Sequence, residues 1–587
     1  MSQPETESPR AFAQVWASSA AAGFLLGLGH ATWQVSVESA QALAGIVHYP
    51  PTNPFYLYHL KLWTLVNQLS ALLLWLGLSE VAVSCVVSGL LGMVSISALA
   101  LVVYALTRER AIALIAPFFI HMTPAPHYGV SYPIWLLGSP HTYGILGLAF
   151  DLLVLAVLGC GRYRPGLLLL GLAPAIHPSL GAWLWLVTAA VAVADAGLRR
   201  AFVAHWRWLA AGAVVLVSSF AAQRPFVAQV PKPTEDVTRY FVTYVRDWDA
   251  HRRAVDFSND GIWIGLAVAG LALLWLGPFR RETPDPARVL LKAFAVLGLA
   301  AAPLLALSFV DPSRIPATLL VLMPNRLINV NVLASMAVLL ALLWRRRGSP
   351  WGLIGVGVLV VGLVFAFRSR YLTFLREVLG LAAWQWSRDR LETLVVAAAL
   401  LLVAAVLARR GRATDESAGT RALRNGLWIA LGTAPVLAFA LVPREWERSE
   451  LRERRRDRVY AELAQGEGLV AVASDEYLVQ LRTRRPLILE PGGLDMLPYV
   501  TEAAPEMTRL LRLVYGIDLF ALPAAARGTS SIPAEHNRAV WEARSLADWQ
   551  VLRRELGIRD VLARRDWTLN LPAGGGNRDL RLYHIPE

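Results

Sequence analysis

One acidic residue could do chemistry in the first stretch of the chain that interrupts its hydrophobic pattern. This stretch, 33–59 (WQVSVESAQALAGIVHYPPTNPFYLYH), has Glu38 as its single acid, shortly after Ser36. In the first turn of a helix, a glutamate contributes about 0.3–1 kcal/mol of stability through the helix dipole. Beside a cavity at a membrane face, the same carboxylate could serve as a catalytic base. The local sequence leaves both interpretations of Glu38 open.

Histidines are concentrated in the N-terminal third of the chain. Seven of the eleven precede residue 178: His30, His48, His59, His121, His127, His141 and His177. An imidazole titrates near neutral pH and can be an acid, a base or a metal ligand. Each single histidine could equally be an interfacial side chain without a direct role, and no fixed spacing indicates a metal. We take His48, His127, His141 and His177 as candidates for a substrate cleft, and a divalent metal cofactor stays open.

Three arginines and one aspartate complete the set of candidates. Arg326 lies in LMPNRLINVNV, where its guanidinium could bind two phosphate oxygens of a lipid at once. The alternative is a side chain that only extends to the headgroups. Arg314 (DPSRIP) and Arg224 are weaker versions of the same idea. Asp151 lies inside an apolar run, where a charge costs about 2.5–3.5 kcal/mol on insertion scales, so it should face the cleft or bond another helix.

The composition predicts a polytopic α-helical membrane protein as the scaffold for these residues. The chain has 587 residues, of which 56% are hydrophobic and 17% charged, and its mean hydropathy is +0.46. Between Phe12 and Val442, apolar runs of about 17 to 25 residues recur, and each could span a bilayer core of roughly 30 Å. The net charge of +13 does not indicate nucleic-acid binding, because much of it sits in short loops between spans. Cys85 and Cys160 fall in predicted spans, so no disulfide framework is expected.

The apolar runs predict about 13 membrane spans. They are 12–31, 81–106, 111–122, 139–160, 166–176, 179–197, 207–223, 261–277, 289–309, 327–344, 351–367, 391–408 and 425–442. Short arginine-rich loops such as 108–110 and 345–347 favour the cytoplasmic side, which places the N-terminus in the cytoplasm. The expected location is the inner, cytoplasmic membrane of a bacterium. The basic loops stay in phase only if 59–80 lies along the outer interface, although its LLLWLGL core would also suit a span.

Four outer loops must position the candidate side chains. They are 32–80, 122–138, 224–260 and 368–390. The two short spans, 111–122 and 166–176, end in proline-containing turns, HMTPAPHYG and IHPSLG. Such backbone at membrane depth needs protein or a water-filled cavity around its polar groups. We therefore predict a cavity that opens to the outer face.

The tail 443–587 is charged and mixed in composition, unlike the transmembrane domain 1–442. Its pattern predicts a charged helix at 444–465, strands at 468–474, 484–492, 558–564 and 580–586, and helices near 475–483, 503–515 and 546–556. Alternation of this kind predicts a small extracytoplasmic α/β domain. Its sequence shows no nucleophile elbow, P-loop or metal-binding spacing.

The residues of the first outer loop resemble those of the GT-C membrane glycosyltransferases, which include protein O-mannosyltransferases and the aminoarabinose transferase of lipid A. In that family an acid closely follows the first span, and a Gly/Pro-containing stretch and interfacial helices come next. Glu38, Gly45 with Tyr49-Pro50-Pro51, and 59–80 fit these places. The family acid is usually an aspartate, often in an acidic pair, whereas Glu38 is the single acid here.

The resemblance extends to the rest of the chain and implies a function. Arg326 matches an arginine at the outer end of a late span, and 443–587 matches an extracytoplasmic domain. The family moves a sugar from a polyprenyl-phosphate or polyprenyl-diphosphate donor to a glycan, lipid or protein acceptor. Glu38 would activate the acceptor hydroxyl or stabilise the site, and Arg326 would bind the donor phosphate. The histidines and loop 224–260 would shape the acceptor cleft.

Two other classes of function remain open. A transporter or flippase for a lipid-linked or envelope substrate would be expected to show inverted repeats, and the sequence shows none. A non-catalytic membrane scaffold would suit the large polar tail. Clustering around one cavity would favour the enzyme, and it should involve His30, Glu38, His127, His141, His177 and Arg326.

Overall fold

The computed structural model describes residues 9–123, 129–130, 132, 134, 136–233, 236–252, 259–277, 283–345, 347, 350–364, 370–371, 418–449, 451 and 457–587. Three predicted features lie outside these residues. They are His127, the span 391–408 and nearly all of the loop 368–390.

Helices dominate the described chain up to residue 448. They are α1 (Pro9–Gly29), α2 (Val35–Leu43), α3 (Pro54–Lys61), α4 (Leu65–Trp75), α5 (Glu80–Thr107), α6 (Arg110–Met122), α7 (Thr142–Gly159), α8 (Tyr163–Ile176), α9 (Pro178–Ala194), α10 (Ala196–Val227), α11 (Thr238–Thr243), α12 (Asp260–Leu276), α13 (Ala287–Ala306), α14 (Ala317–Val321), α15 (Asn329–Arg345), α16 (Pro350–Val364) and α17 (Ala418–Arg448). A π turn (Tyr244–Trp248) follows α11, and a 3₁₀ turn (Pro324–Ile328) precedes α15.

Seven described helical stretches are long and apolar enough to cross a membrane. They are Pro9–Gly29, Glu80–Thr107, Thr142–Gly159, Ala196–Val227, Ala287–Phe309, Ala317–Arg345 and Arg424–Arg448. The helix α10 exposes Val203 and Val217, at 78% and 65%, as side chains that face lipid do. The chain is therefore a multi-pass helical membrane protein. The total of about 13 spans stays a prediction, because six further apolar helices have only 10–17 residues.

The predicted spans match the described helices closely at most positions. The spans 81–106 and 139–160 correspond to α5 and α7, and the short spans 111–122 and 166–176 correspond to α6 and α8, with 13 and 14 residues. The predicted span 207–223 corresponds to the part of α10 after His205, whose non-helical backbone marks a kink between two helices. The helical segment before this kink, which carries Arg199 and Arg200, was not predicted.

The ambiguous stretch 59–80 forms no long helix. It is divided between α3, of 8 residues, and α4, of 11 residues. At 1.5 Å per residue, α4 is roughly 16 Å long, which is too short to cross a bilayer core. The stretch that links α1 and α5 is therefore a set of short helices at one end of the bundle.

Small residues hold α1 and α5 together in antiparallel contact. A Cβ atom on Gly23 would lie 2.5 Å from the carbonyl oxygen of Gly92, and one on Gly27 would lie 2.4 Å from that of Ser88. Glycines four residues apart let two membrane helices approach this closely. The packing brings the end of α1 beside the start of α5, and α2 to α4 lie there. We call this end of the bundle the Glu38 end.

Predicted cytoplasmic loops lie together at the opposite end, the basic end. Arg162 lies 5.2 Å from the ring of Phe12 near the start of α1, and Arg345 donates to the carbonyl oxygen of Leu106 at the end of α5 (2.6 Å). Arg347 pairs with Glu109 at 2.8 Å. These contacts place the loops 108–110, 162–164 and 345–347 at the same end of the bundle. Their shared positive charge predicted that they lie on one side of the membrane.

The chain after residue 457, which we call the C-terminal part, contains every strand that the structure describes. Its elements are α18 (Arg458–Leu463), β1 (Leu469–Val472), α19 (Val479–Thr483), α20 (Ala504–Tyr515), α21 (Ala534–Glu542), α22 (Leu546–Leu556), β2 (Ile558–Arg564), β3 (Ala573–Gly576) and β4 (Leu580–His584). The sheet order is β1-β2-β4-β3, with β1 parallel to β2 and the other pairs antiparallel. A separate hydrophobic core, with Trp541 and Trp549 fully buried, lies between the sheet and its helices.

Most predicted elements of this part are present, but the helix α21 was not predicted, the predicted helix 475–483 is limited to α19, and two strands differ. The predicted strands 468–474, 558–564 and 580–586 correspond to β1, β2 and β4. The predicted strand 484–492 forms only one isolated bridge, Leu487 with Val470, because its backbone bonds the helical bundle instead. The strand β3 was missed, since its sequence AGGG has low strand propensity.

Polar contacts dock the C-terminal part on the Glu38 end. The side-chain amide of Asn53 donates to the carbonyl oxygens of Leu487 (3.0 Å) and Ile488 (3.1 Å). Lys61 forms an ion pair with Glu502 at 2.7 Å. The bundle and the C-terminal part therefore share an interface at the position of the first loop.

Candidate functional site

The helix α2 is fixed on the bundle by the residue that precedes it. The side-chain amide of Gln34 donates to Ser88 Oγ on α5 (3.0 Å) and to the carbonyl oxygen of Ser139 (2.9 Å), and its oxygen accepts from Thr142 at the start of α7 (2.8 Å). These bonds set the rotation of α2. Glu38, one turn later, consequently points away from solvent, with 1% of its surface exposed.

Glu38 is buried without a cationic partner in the contacts that the structure gives. Its Oε1 has no hydrogen-bond partner among the described residues. Burial, and then the nearby charge of Glu490, raise the pKa of Glu38 well above its ordinary value, although the backbone N–H of Leu481 partly offsets this. A carboxyl group with a raised pKa can hold a proton at a pH where an ordinary glutamate has lost it, and such a group can take part in acid–base chemistry.

Glu490 is the second buried carboxylate of this region, and it comes from the C-terminal part. It is 7% exposed, and its Oε1 accepts from the backbone N–H of Leu478 at 2.8 Å. Burial, with a contribution from Asp495, raises the pKa of Glu490 to about 7. We call Glu38 and Glu490 together the acid site.

Aromatic and neutral polar groups surround the acid site. Tyr49 donates to Gln480 Oε1 at 2.5 Å, and Gln480 donates to the backbone oxygen of Glu38 at 2.9 Å. Ser39 bonds both His59 Nδ1 (2.9 Å) and the hydroxyl of Tyr143 (3.0 Å). Burial lowers the pKa of His59 to about 3, so this histidine is neutral at physiological pH.

A second group of polar side chains, the arginine site, lies between the last loops of the bundle and the segment 491–499. Arg326, in the 3₁₀ turn before α15, lies with its guanidinium 4.5 Å from the ring centroid of Tyr132. Arg252 lies 5.1 Å from the ring centroid of Tyr499 and pairs with the buried Asp249 at 2.6 Å. Cations over ring faces are stabilised there, while their edges can still donate hydrogen bonds.

Asp495 connects the two arginines electrostatically. Burial would raise its pKa, but the interaction with His251 and the charges of Arg252 and Arg326 together lower it. The distance from His251 Nε2 to Asp495 Oδ2 is 3.6 Å, and 42% of the aspartate side chain remains accessible, because it borders open space. Since Asp495 also acts on Glu490, the acid site and the arginine site are within electrostatic range of each other.

Two cavities with mainly apolar walls adjoin the arginine site. One, with a volume of about 20 Å³, is lined by Arg252 and by apolar residues of 304–324, including Leu319. The other, with a volume of about 10 Å³, is lined by Tyr132, His177 and Arg326 among others. Met323 borders both, and its backbone has the left-handed φ of 44° that side chains rarely adopt. Each has room for about one water molecule, so both are small gaps in the packing beside the arginine site.

The predicted site residues divide into those near the site and those away from it. Glu38 and Arg326 are in the two groups described above, His177 lines the second cavity, and the ring of His141 lies 6.4 Å from that of Tyr132. His30 instead packs against His121, with ring centroids 5.0 Å apart.

Four predicted candidates do not reach the site. His48, Arg224 and Arg314 are exposed to solvent and line neither cavity. Asp151 is buried on α7, nine residues after Thr142 and so about 13 Å deeper in the bundle. His127 lies outside the described residues.

Within the described part of the chain, no group of three or more His, Cys, Asp or Glu side chains has a geometry that could hold a metal ion. The chemistry that these residues can perform by themselves is proton transfer at Glu38 and anion binding at Arg252 and Arg326.

Comparison with known proteins adds no relative. No protein-family model matches this chain, and no curated protein matches it. The functional interpretation therefore depends on the geometry of the two sites.

The sequence analysis missed most of the other residues of these sites, including His251, Arg252, Gln480, Glu490 and Asp495. The first two lie in loop 224–260, whose mixture of acids, arginines and aromatics was a weak signal. The other three lie in the tail, in DEYLVQLRT and LEPGGLD, where a polar residue is ordinary. The docking of the C-terminal part on the first loop was needed to identify them.

Proposed function

We propose that this protein is a membrane glycosyltransferase that moves a sugar from a polyprenyl-phosphate donor to an acceptor at the extracytoplasmic face of the inner membrane. One observation carries the proposal. A buried carboxylate, Glu38, a buried guanidinium group, Arg252, and a half-buried one, Arg326, lie at the same end of the helical bundle, under the C-terminal part. The resemblance of the first loop to that of GT-C enzymes supports the same function.

Each group has a role in the proposed reaction. The carboxylate of Glu38 accepts the proton of the acceptor hydroxyl while the oxygen of that hydroxyl forms a bond to the anomeric carbon of the sugar. The bond from that carbon to the phosphate oxygen breaks, and the lipid phosphate leaves with the electron pair. Arg326 and Arg252 stabilise the negative charge on this phosphate. Two Arg252 nitrogens, Nε and Nη2, have no hydrogen-bond partner among the described residues and could serve this purpose.

The proposal also assigns an orientation to the molecule. The basic end faces the cytoplasm, and the C-terminal part is an extracytoplasmic domain that covers the first loop. About 13 helices cross the membrane.

The test is transfer of radiolabelled sugar by the purified protein from a panel of polyprenyl-phosphate sugars. Glu38→Gln keeps the size of the side chain and should abolish transfer while donor binding persists. Glu109→Gln, at the basic end, is the matched control and should transfer as the wild type does.

Three results would change the proposal. Transfer by Glu38→Gln would keep the enzyme class and assign the base to another residue. Failure of the folded wild type with every donor would reject the transferase. A transporter or flippase for a lipid-linked substrate would then be tested by its movement across vesicles, and a scaffold would show neither activity.

A further inference from the structure

The acid site combines residues from two parts of the molecule that are far apart in sequence. We propose that Glu490 is a positioning residue that controls the proton on Glu38, so that the C-terminal part completes the acid–base site by docking. The catalytic consequence rests on the function proposed above. The link between the two carboxylates can be tested without it.

A chain of hydrogen bonds fixes Glu490 relative to α2. Gln480 bonds the backbone oxygen of Glu38 (2.9 Å) and accepts from Tyr49 (2.5 Å), and the Tyr49 hydroxyl accepts from the backbone N–H of Leu487 (3.2 Å). Three residues after Leu487, Glu490 turns back to accept from Leu478 at 2.8 Å. The segment 478–490 is therefore a closed loop that carries its carboxylate to the helix of Glu38.

Both carboxylates are largely removed from solvent. Glu38 and Glu490 are 1% and 7% exposed, and each charge raises the pKa of the Tyr49 phenol that faces both. Two carboxylates so placed cannot both ionise easily, so the pair retains a proton that one of them must carry. Glu490 has a backbone donor at 2.8 Å, whereas Glu38 Oε1 lacks a partner among the described residues, and this leaves Glu38 available to a substrate.

Other titratable groups face this pair from every neighbouring element. They are Tyr49 and Glu80 beside α2, Tyr58 and His59 on α3, Tyr143 on α7, Arg484 after α19, and Asp495 with His251, Arg252 and Arg326 at the arginine site. Arg484 already pairs with Glu80 at 2.7 Å. The cations of the arginine site act on Asp495, so Glu490 is the charge that acts most directly on Glu38.

For sugar transfer, we expect Glu490 to set the pH dependence of kcat/KM. With Glu490 present, Glu38 can accept the acceptor proton only after the pair has lost the proton that it retains. Glu490→Gln removes the neighbouring charge, so Glu38 ionises at lower pH and is a weaker base. The acidic limb of kcat/KM should shift down by about 1 pH unit or more, and kcat at alkaline pH should fall.

The controls separate this effect from a loss of structure. Glu502→Gln breaks the ion pair with Lys61 at the same interface and should leave the pH profile unchanged. Glu490→Asp keeps the charge and should retain the acidic limb of the wild type. An unshifted limb in Glu490→Gln, or the same shift in Glu502→Gln, would overturn the proposal.

A double-mutant cycle tests the pair without any transfer assay. At pH 8, the changes in thermal midpoint of Glu38→Gln and Glu490→Gln should not add up to that of the double variant. Either single substitution already removes the repulsion between the two carboxylates, so the second one brings no further relief. The changes should be nearly additive at pH 5, where the pair is neutral. Additivity at both pH values would overturn the proposal, whereas coupling in a protein that transfers no sugar would reject the proposed function alone.

Discussion

Two glutamates of the bundle meet the C-terminal part, and their surroundings are opposite. Glu80, at the start of α5, forms a two-pronged ion pair with Arg484, with N–O distances of 2.7 and 3.0 Å. Glu38, on α2, has an oxygen without a hydrogen-bond partner within the described chain. Gln41 lies between them and bonds Glu80 at 3.2 Å and Gln480 at 3.2 Å. The same interface therefore holds one satisfied carboxylate and one available carboxylate.

This difference distinguishes a carboxylate that holds the two parts of the chain together from one that is suited to proton transfer. An ion pair with good geometry holds its charge in one state and fixes two parts of the chain together. A buried carboxylate without such a pair has a pKa that its surroundings move toward neutrality, which suits proton transfer. We therefore interpret Glu80 as part of the docking contacts and Glu38 as the reactive group.

The largest expected effect is on transfer, and it should distinguish the two glutamates. Glu38→Gln should lower kcat by about 100- to 10,000-fold, the range for removal of a general base. Glu80→Gln should change kcat by less than about 5-fold, because only a docking contact worth up to about 1 kcal/mol is lost. Initial rates with saturating donor measure both, and equal losses in the two variants would reject the comparison.

The next effect concerns the arginine site. Arg326→Ala should raise the KM for the polyprenyl-phosphate donor by about 10- to 100-fold, because a charge-assisted hydrogen bond contributes about 1.5–3 kcal/mol. Arg110→Ala, an exposed arginine at the basic end, is the control. A wild-type donor KM in Arg326→Ala would show that the phosphate binds elsewhere.

Stability should respond with opposite signs to the two glutamine substitutions. The folded-state pKa of Glu38 is raised above 4.5, so its contribution to stability is present below that pH and is lost as pH rises through the folded value. At pH 8, Glu38→Gln should raise the free energy of unfolding and Glu80→Gln should lower it, each by on the order of 1 kcal/mol, and the thermal midpoints should move in the same directions. The gain from Glu38→Gln should shrink at pH 5. Changes of the same sign at pH 8 would contradict this prediction.

The smallest expected effect is the response to salt. Arg484 keeps 59% of its side chain exposed, so ions can screen its pair with Glu80. The penalty of Glu80→Gln should fall by a few tenths of a kcal/mol between about 0.1 and 1 M NaCl. The effect of Glu38→Gln should hardly change, because Glu38 is 1% exposed. Thermal unfolding of both variants over a salt series measures the difference.

The sequence predicted the helical scaffold better than the site. Apolar runs such as 81–106 locate α5 to within a residue at each end, because a span must be continuous and apolar. Strand and helix patterns located β2 and α22 in the same way. The kink in α10 and the strand AGGG were not predicted, because contacts with neighbouring parts of the chain, and not the local preferences of their residues, determine them.

Within the site, local chemistry identified Glu38 and Arg326 but not their partners. An acid after the first span and an arginine before a late one are unusual enough to be noticed. Glu490, Asp495 and Arg252 lie in polar segments where such residues are common, so no local pattern marks them. Conversely, His48 and Arg314 carry suitable groups, and the structure leaves them exposed.

The sequence by itself determined that the chain is a multi-pass helical membrane protein and which residue types lie near the ends of its helices. Hydrophobic length and charge are properties of each segment, so they can be read locally. The tertiary structure decided that Glu38 is buried beside Glu490 while Glu80 pairs with Arg484. The residues of each pair are separated by more than 400 positions and meet only because the C-terminal part docks on the bundle. The state of a carboxylate depends on what surrounds it in space, and that information is not present in its neighbours along the chain.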